Sequence, residues 1–545
     1  MMDALTSIAT PINEPVLSYA PGSPERDTLQ ARLRSMVGDH PLDLPMVING
    51  ADVRTGETYD VRSPHRHRRI LARAHKTTHT EVTLAINAAL RAKRDWASTP
   101  WTARAAIFMR AAELLTTKYR ATINAATMLG QSKTAYQAEI DAACELADFW
   151  RFNVHFASKL YTEQPISSPG VWNVLDHRPL DGFVFAITPF NFTAIAANLP
   201  TAPALMGNTV LWKPAETQSL SAHFLMEILR EAGLPPGVIN LVYGDGPTVG
   251  AVALTHADLG GVHFTGSTAV FNQIWSTVGQ RIGEYKSYPR IVGETGGKDF
   301  IVAHTSADLD ALAVAIVRGG FEFQGQKCSA TSRVYVPESR WASLRERLAA
   351  HCAKITVGDV EDFSHFMSAV IDERAFRKHA AYIEHGKTDT NYELIAGGTY
   401  TMDEGYFVAP TIFTSRDPKA KLMREEIFGP VVTVHTYPES QWSETLALVD
   451  QTSPYALTGA IMANDRVAIE QASRALRFSA GNFYVNDKPS GAVVGQQPFG
   501  GSRASGTNDK AGSPLNLVRW VSPRTIKETF SPPTGDFAYP FMRSP

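Results

Sequence analysis

Cysteine is scarce in this 545-residue chain, which holds only Cys144, Cys328 and Cys352. An odd count with no Cys-x-x-Cys spacing excludes a disulfide framework and a structural zinc site, and a reducing cytoplasm is the simpler setting. Blocks of like charge are absent as well. Lys and Arg total 52 against 54 Asp and Glu, a formal charge of -2, so no basic stripe follows a phosphate backbone and nucleic acid is not an expected partner. The first forty residues lack an apolar core and carry Asp3, Glu14, Glu25 and Asp27. Secretory leaders need such a core and transit peptides avoid acids, so no cleaved leader is expected. Internal repeats and low-complexity tracts are missing too. One uncharged run, Gly182 to Trp212, is long enough to span a bilayer, but Pro189, Asn191, Asn198, Pro200, Pro203, Gly207 and Asn208 interrupt it. It reads as buried strand and helix of an α/β protein, and no membrane span is expected.

What is present is length and alternation. A chain this long exceeds one ordinary core, so two or three domains are expected. Residues 80 to 158 show apolar positions three and four apart, as in Ala106, Ile107, Met109, Ala112, Leu114 and Leu115, which predicts an opening helical layer. From 183 the pattern changes to short apolar runs (FVFAIT, TVLWKP, VINLVYG, VHFTGS) separated by amphipathic helices, SAHFLMEILREAG and VFNQIWSTVG. That alternation predicts βαβ units and a parallel sheet. The Gly233-Leu-Pro-Pro-Gly stop places one strand at Val238 to Val242. After about residue 300 a second alternating region begins with DFIVAH, a helix through Leu312 to Arg318, SRVYVP and SLRERLAAHCAKI. Residues 159–181 and the tail after 517 lie outside both regions. They read as extended, of the kind that often pairs with another subunit.

Four places carry groups suited to chemistry. Cys328 offers a thiolate, the strongest ordinary nucleophile at neutral pH, and the adjacent Lys327 cation is expected to lower its pKa. Taken alone, an inert packed cysteine is the commoner reading; Cys144 and Cys352, set in helical apolar patterns, fit it. Glu294 ends an apolar run before Gly296 and Gly297, where a strand end projects into the crevice of an α/β sheet and a carboxylate can serve as general base. A solvated strand-end Glu is an equal alternative. Asn191, in Thr188-Pro189-Phe190-Asn191-Phe192, could hold an oxyanion with its amide or simply cap the helix that follows. Gly266 and Ser267 close a strand and open a helix, which suits a pyrophosphate. Lys213 and Glu216 could bind ribose hydroxyls or be two solvated charges. The stretch Gly244 to Gly250 lacks the spacing of a dinucleotide fingerprint and reads as a turn with an adenine contact at Gly250.

In order, PFN, WKPAE, FTGS, GETGGKD, GQKCS, EEIFGP (425–430) and PFGGSRASG (498–506) resemble the aldehyde dehydrogenase superfamily. The resemblance implies a Rossmann-like NAD-binding domain (1–158 with 182–299), an α/β catalytic domain (300–514) and a small β oligomerisation flap (159–181 and 515–545). It also implies roles: Cys328 attacks the aldehyde, Asn191 and the Cys328 N–H hold the oxyanion, and Glu294 activates water against the thioester. Glu426 and Phe428 would position the nicotinamide ribose and ring, with Thr188, Pro189, Lys213, Glu216, Gly250, Gly266 and Ser267 completing the NAD contacts. No metal is implied.

Several further stretches, QAEIDAACELADFWRFN, NDKPSGAVVGQQPFGG and ASGTNDKAG among them, resemble the 1-pyrroline-5-carboxylate dehydrogenase family over nearly the whole chain. Thr295, where many aldehyde dehydrogenases have Leu, is typical of that family. The implied substrate is L-glutamate γ-semialdehyde, its carboxylate on backbone N–H groups of Gly491 and Ala492 with Ser329 assisting. Phe499 would pack its aliphatic chain, and Glu145 and Phe192 would guard the entrance. Many members have Ser where this chain has Ala492, so one hydrogen bond is expected to be missing. A homo-oligomer is expected, as is functional coupling to a separate proline dehydrogenase, since the length leaves no room upstream for a fused one. The alternatives are a dehydrogenase for another short acidic aldehyde, such as succinate semialdehyde, and a non-catalytic scaffold with the same fold.

Overall fold

The computed structural model describes residues 6–38, 40–535 and 537–542. Asp3, part of the leader-free N-terminus expected above, and residues 536 and 543–545 of the expected flap lie outside them. The helical opening is present as His79–Ser98, Trp101–Thr116, Arg120–Gln131 and Leu146–Thr162. A capping box starts it: the Thr78 N–H donates to Glu81 while the Thr78 hydroxyl accepts from the backbone of the first turn. Between the last two helices the chain widens into a π-helix, Glu139–Glu145, a departure that marks functional sites more often than ordinary packing.

The first alternating region forms a seven-stranded sheet. Five of its strands are parallel: Phe183–Thr188, Val210–Pro214, Ile239–Leu241, Leu259–Thr265 and Arg290–Glu294. Numbered along the chain, they lie in the order 3-2-1-4-5, and the hairpin Met46–Ile48 and Ala51–Val53 extends the edge antiparallel. The order reverses between the first and fourth strands, so Thr188 and Thr265 end side by side at the point where such sheets open a ligand crevice.

The second sheet also has seven strands, with Asp299–Ala303 and Thr331–Pro337 near its centre and an antiparallel edge at Tyr392–Ala396. It has a core of its own, in which Ile301, Leu312, Val334, Val432 and Ala460 pack together, whereas the first sheet and the helical layer share a cluster running from Tyr19 to Val292 that also takes in Val360, Val494, Leu517, Trp520 and Val521. Only residues 295–298 connect Glu294 of one sheet to Asp299 of the other. The two outlying extended pieces, Val171–Pro179 and Val521–Thr529, pair with each other as an antiparallel ribbon within this chain.

Candidate functional site

The seam between the two sheets gathers the residues singled out from sequence. Gly296 and Gly297 make the close approach possible: a Cβ on Gly296 would overlap the Glu426 carboxylate, and one on Gly297 would overlap the Cys328 carbonyl and the Asp299 side chain. The Gly297 N–H donates to Glu426 Oε1 at 3.0 Å. Just before Cys328 the backbone is left-handed at three successive residues, Phe323 (φ 50°), Gln324 (φ 56°) and Gly325 (φ 65°). Two of these are not glycine, so strain is concentrated in the loop that presents the thiol.

Asn191 lies two residues before the start of the Thr193–Leu205 helix, whose N-cap is Phe192, and does not cap it. Asp141 of the π-helix accepts from the Thr193 and Ala194 N–H groups at 3.0 and 2.9 Å, which leaves the Asn191 amide to donate to the Gln326 carbonyl at 3.1 Å. Asn191 is thereby buried and directed at the Cys328 loop. Glu294 accepts from the Gly501 N–H at 3.2 Å. Burial raises its pKa well above the usual carboxylate range, with Asp509 adding in the same sense.

The expectation for Lys327 is corrected. Its ammonium turns away from the thiol to Glu322, 3.2 Å distant, and both are buried, so the cation is spent locally. Burial raises the Cys328 pKa, and the carboxylates of Asp299, Glu294 and Glu426 raise it further, so the resting thiol holds its proton. Burial also lifts the other two cysteines, Cys352 to about 11, in keeping with packed, inert thiols.

The cofactor set lies along the carboxyl ends of the first sheet. Thr188 accepts from Trp212 Nε1 at 3.0 Å, and Ser267 caps the Thr268–Gln280 helix, leaving that helix start exposed beside Gly266. Lys213 is buried without a hydrogen-bond or ion-pair partner among the described residues, an arrangement that asks for a polar ligand. Glu216 is exposed nearby, so only one of the pair is a solvated charge. The expected turn at Gly244 to Gly250 is corrected: Gly246–Ala253 is a helix capped by Asp245, and Gly250 sits inside it. Across the seam, a cavity of about 810 Å³ opens beside Glu426, lined by Tyr382, Lys419, Arg424 and Tyr455. Phe428 takes a left-handed φ of 58° and meets Phe190 edge to face, 5.9 Å between centroids. A crevice at a sheet's reversal point, an exposed helix N-terminus and an unpaired buried lysine suit a dinucleotide.

On the opposite side, Ser329 is buried beside the nucleophile. Gly491 (φ 91°) begins the loop that includes Ala492, and Phe499 is held by paired backbone hydrogen bonds to Ala511. Phe192 precedes the Thr193–Leu205 helix and Glu145 ends the π-helix. Burial lifts Glu145 to about 8, with Asp141 adding to the effect.

A model of the aldehyde dehydrogenase family matches residues 52–526. The chain belongs to the aldehyde dehydrogenase family. It is similar to the mitochondrial delta-1-pyrroline-5-carboxylate dehydrogenase of Dictyostelium discoideum, 50% identical over 99% of this chain and 97% of that one. It is similar as well to the crystal structure of the delta-pyrroline-5-carboxylate dehydrogenase from Mycobacterium tuberculosis bound with NAD: 56% identity, TM-score 0.96, covering 100% of both chains. A third likeness is to proline utilization A from Bdellovibrio bacteriovorus, 31% identical with a TM-score of 0.90, covering 95% of this chain and 53% of that one. The aldehyde dehydrogenase fold expected from sequence is thus the fold of this chain. Among the described residues no helix is long and apolar enough to cross a membrane.

Sequence reasoning missed Asp299, buried beside Cys328 and hydrogen-bonded to the Thr458 N–H at 2.6 Å, and the buried pair Lys133–Asp141 at 2.7 Å. Asp299 adjoins the Gly pair and was open to notice. Lys133 and Asp141 are eight residues apart across a π-turn, a spacing that helical periodicity does not bring together.

Proposed function

We propose that this chain is an NAD-dependent 1-pyrroline-5-carboxylate dehydrogenase, oxidising L-glutamate γ-semialdehyde to L-glutamate in proline breakdown. The observation that carries the reading is the convergence of Cys328, Asn191 and Glu294 on one seam, in a chain alike over its full length to proteins of that name.

Cys328 Sγ releases its proton to solvent as it bonds to the aldehyde carbon. The new oxyanion accepts from the second Asn191 N–H, the first being held by Gln326, and from the Cys328 N–H. NAD, when bound, accepts the hydride, and the carbonyl re-forms as a thioester on Cys328. Lys213, Ser267, Gly266 and Glu216 would hold its adenosine and pyrophosphate; Glu426 and Phe428, with Thr188 and Pro189, would hold its nicotinamide half. Glu294, once ionised, takes a proton from water, whose hydroxide attacks the thioester; the acid leaves and Glu294 returns the proton to the departing Cys328 sulfur. At the far end of the substrate, Gly491, Ala492 and Ser329 would bind the carboxylate and Phe499 the methylenes, with Glu145 and Phe192 at the entrance.

The same reading divides the chain into NAD-binding (1–158, 182–299), catalytic (300–514) and oligomerisation (159–181, 515–545) parts. It makes the chain a homo-oligomer supplied by a proline dehydrogenase. Three unpaired thiols suit a reducing cytoplasm, although the Dictyostelium relative is named mitochondrial; cell fractionation decides that point.

The test is turnover with glutamate γ-semialdehyde, succinate semialdehyde and either NAD or NADP, for wild type and Cys328→Ala. The expected outcome is fastest oxidation of glutamate γ-semialdehyde with NAD and no hydride burst in the variant. Faster oxidation of succinate semialdehyde overturns the substrate, and steady turnover by Cys328→Ala overturns the mechanism.

A further inference from the structure

A lysine with no exposed surface is rare unless something holds it, and Lys133 has none. Its ammonium contacts Asp141 Oδ2 at 2.7 Å and lies between two aromatic faces, 4.0 Å from the centroid of Phe192 and 4.5 Å from that of Phe323. Each partner belongs to a different part of the site. Phe192 follows Asn191 directly, and Asp141 caps the helix that begins at Thr193. Phe323 opens the left-handed run leading to Cys328. The same run is tied a second time to this segment, because Gln324 Nε2 donates to the carbonyl of Ser132 at 3.0 Å.

We propose that Lys133 is a positioning residue for the reaction: by clamping Asp141, Phe192 and Phe323 together it fixes the Asn191 amide relative to the Cys328 thiol. Two strained residues relax unless their surroundings over-determine them. Phe323 is over-determined by a cation on its face, an interaction that is strong when desolvated. An apolar chain of similar length would fill the space between the rings but would release Asp141 and the cap it provides. The role asked of Lys133 is therefore electrostatic as well as steric. The inference rests on the reading of Asn191 and Cys328 given above.

The experiment compares wild type, Lys133→Met, Lys133→Arg and the charge-neutral double variant Lys133→Met/Asp141→Asn. Hydride burst, steady-state kcat and KM, NAD affinity by fluorescence titration and thermal unfolding are measured in the full chain. Displacing a reacting group by about 1 Å costs on the order of 100-fold, so Lys133→Met is expected to slow the burst by about that factor while NAD affinity is unchanged. Lys133→Arg is expected to recover part of the loss. The double variant leaves no unpaired buried charge and is expected to regain thermal stability without regaining burst rate. If Lys133→Met does not fold, the double variant carries the comparison.

A wild-type burst rate in folded Lys133→Met overturns the proposal, as does a double variant that regains rate and stability together. Failure of the catalytic reading is recognised separately, by turnover in Cys328→Ala.

Discussion

At the residue scale, the electrostatics of the seam are set by burial. Cys328 is held neutral, so alkylation by iodoacetamide in the cofactor-free protein is expected to be slow at pH 7 and still rising above pH 9, followed by mass spectrometry at that residue. A plateau below pH 8 would contradict a raised thiol pKa. Glu294→Gln removes the base while leaving the nucleophile, so the hydride burst is expected to persist while kcat falls about 10²- to 10⁴-fold. Glu145 titrates at about 8 against an ordinary 4.5. Between those values the folded protein keeps a proton that the unfolded chain has released, so stability falls as pH rises through that window, by at most about 1.4 kcal/mol per pH unit. Glu145→Gln abolishes that slope. Thermal unfolding from pH 5 to 8 is expected to show the variant gaining on wild type as pH increases.

At the element scale, the turn at Gly296 and Gly297 and the loop before Cys328 are where ordinary packing gives way. Gly297→Ala would push a methyl group into the Cys328 carbonyl. A cost of about 1–3 kcal/mol in urea unfolding is expected, with activity lost beyond what the folded fraction explains. Strands and helices of both sheets were legible in sequence because each run of FVFAIT or SRVYVP type is bounded by Gly, Pro or an amphipathic helix. The ordered motifs exposed Cys328, Glu294 and Asn191 for the same reason, each standing at a strand end or Gly turn. What stayed hidden was direction: nothing in Gln-Lys-Cys says that Lys327 faces Glu322. Nor does a helical pattern reveal a π-turn, so the cap from Asp141 to Thr193 and the Lys133 clamp could be found only in three dimensions.

At the scale of the whole molecule, the ribbon of Val171–Pro179 and Val521–Thr529 carries exposed Trp172, Val174, Ile526 and Phe530. If the chain is the homo-oligomer proposed above, assembled through this apolar ribbon, Trp172→Asp combined with Ile526→Asp is expected to lower the mass measured by light scattering without lowering the melting temperature of the subunit. The two sheets meet with four residues between Glu294 and Asp299, and this short crossing is also the floor of the reaction site. Its length therefore sets the spacing between the base at Glu294 and the nucleophile at Cys328, whose carbonyl lies against Gly297.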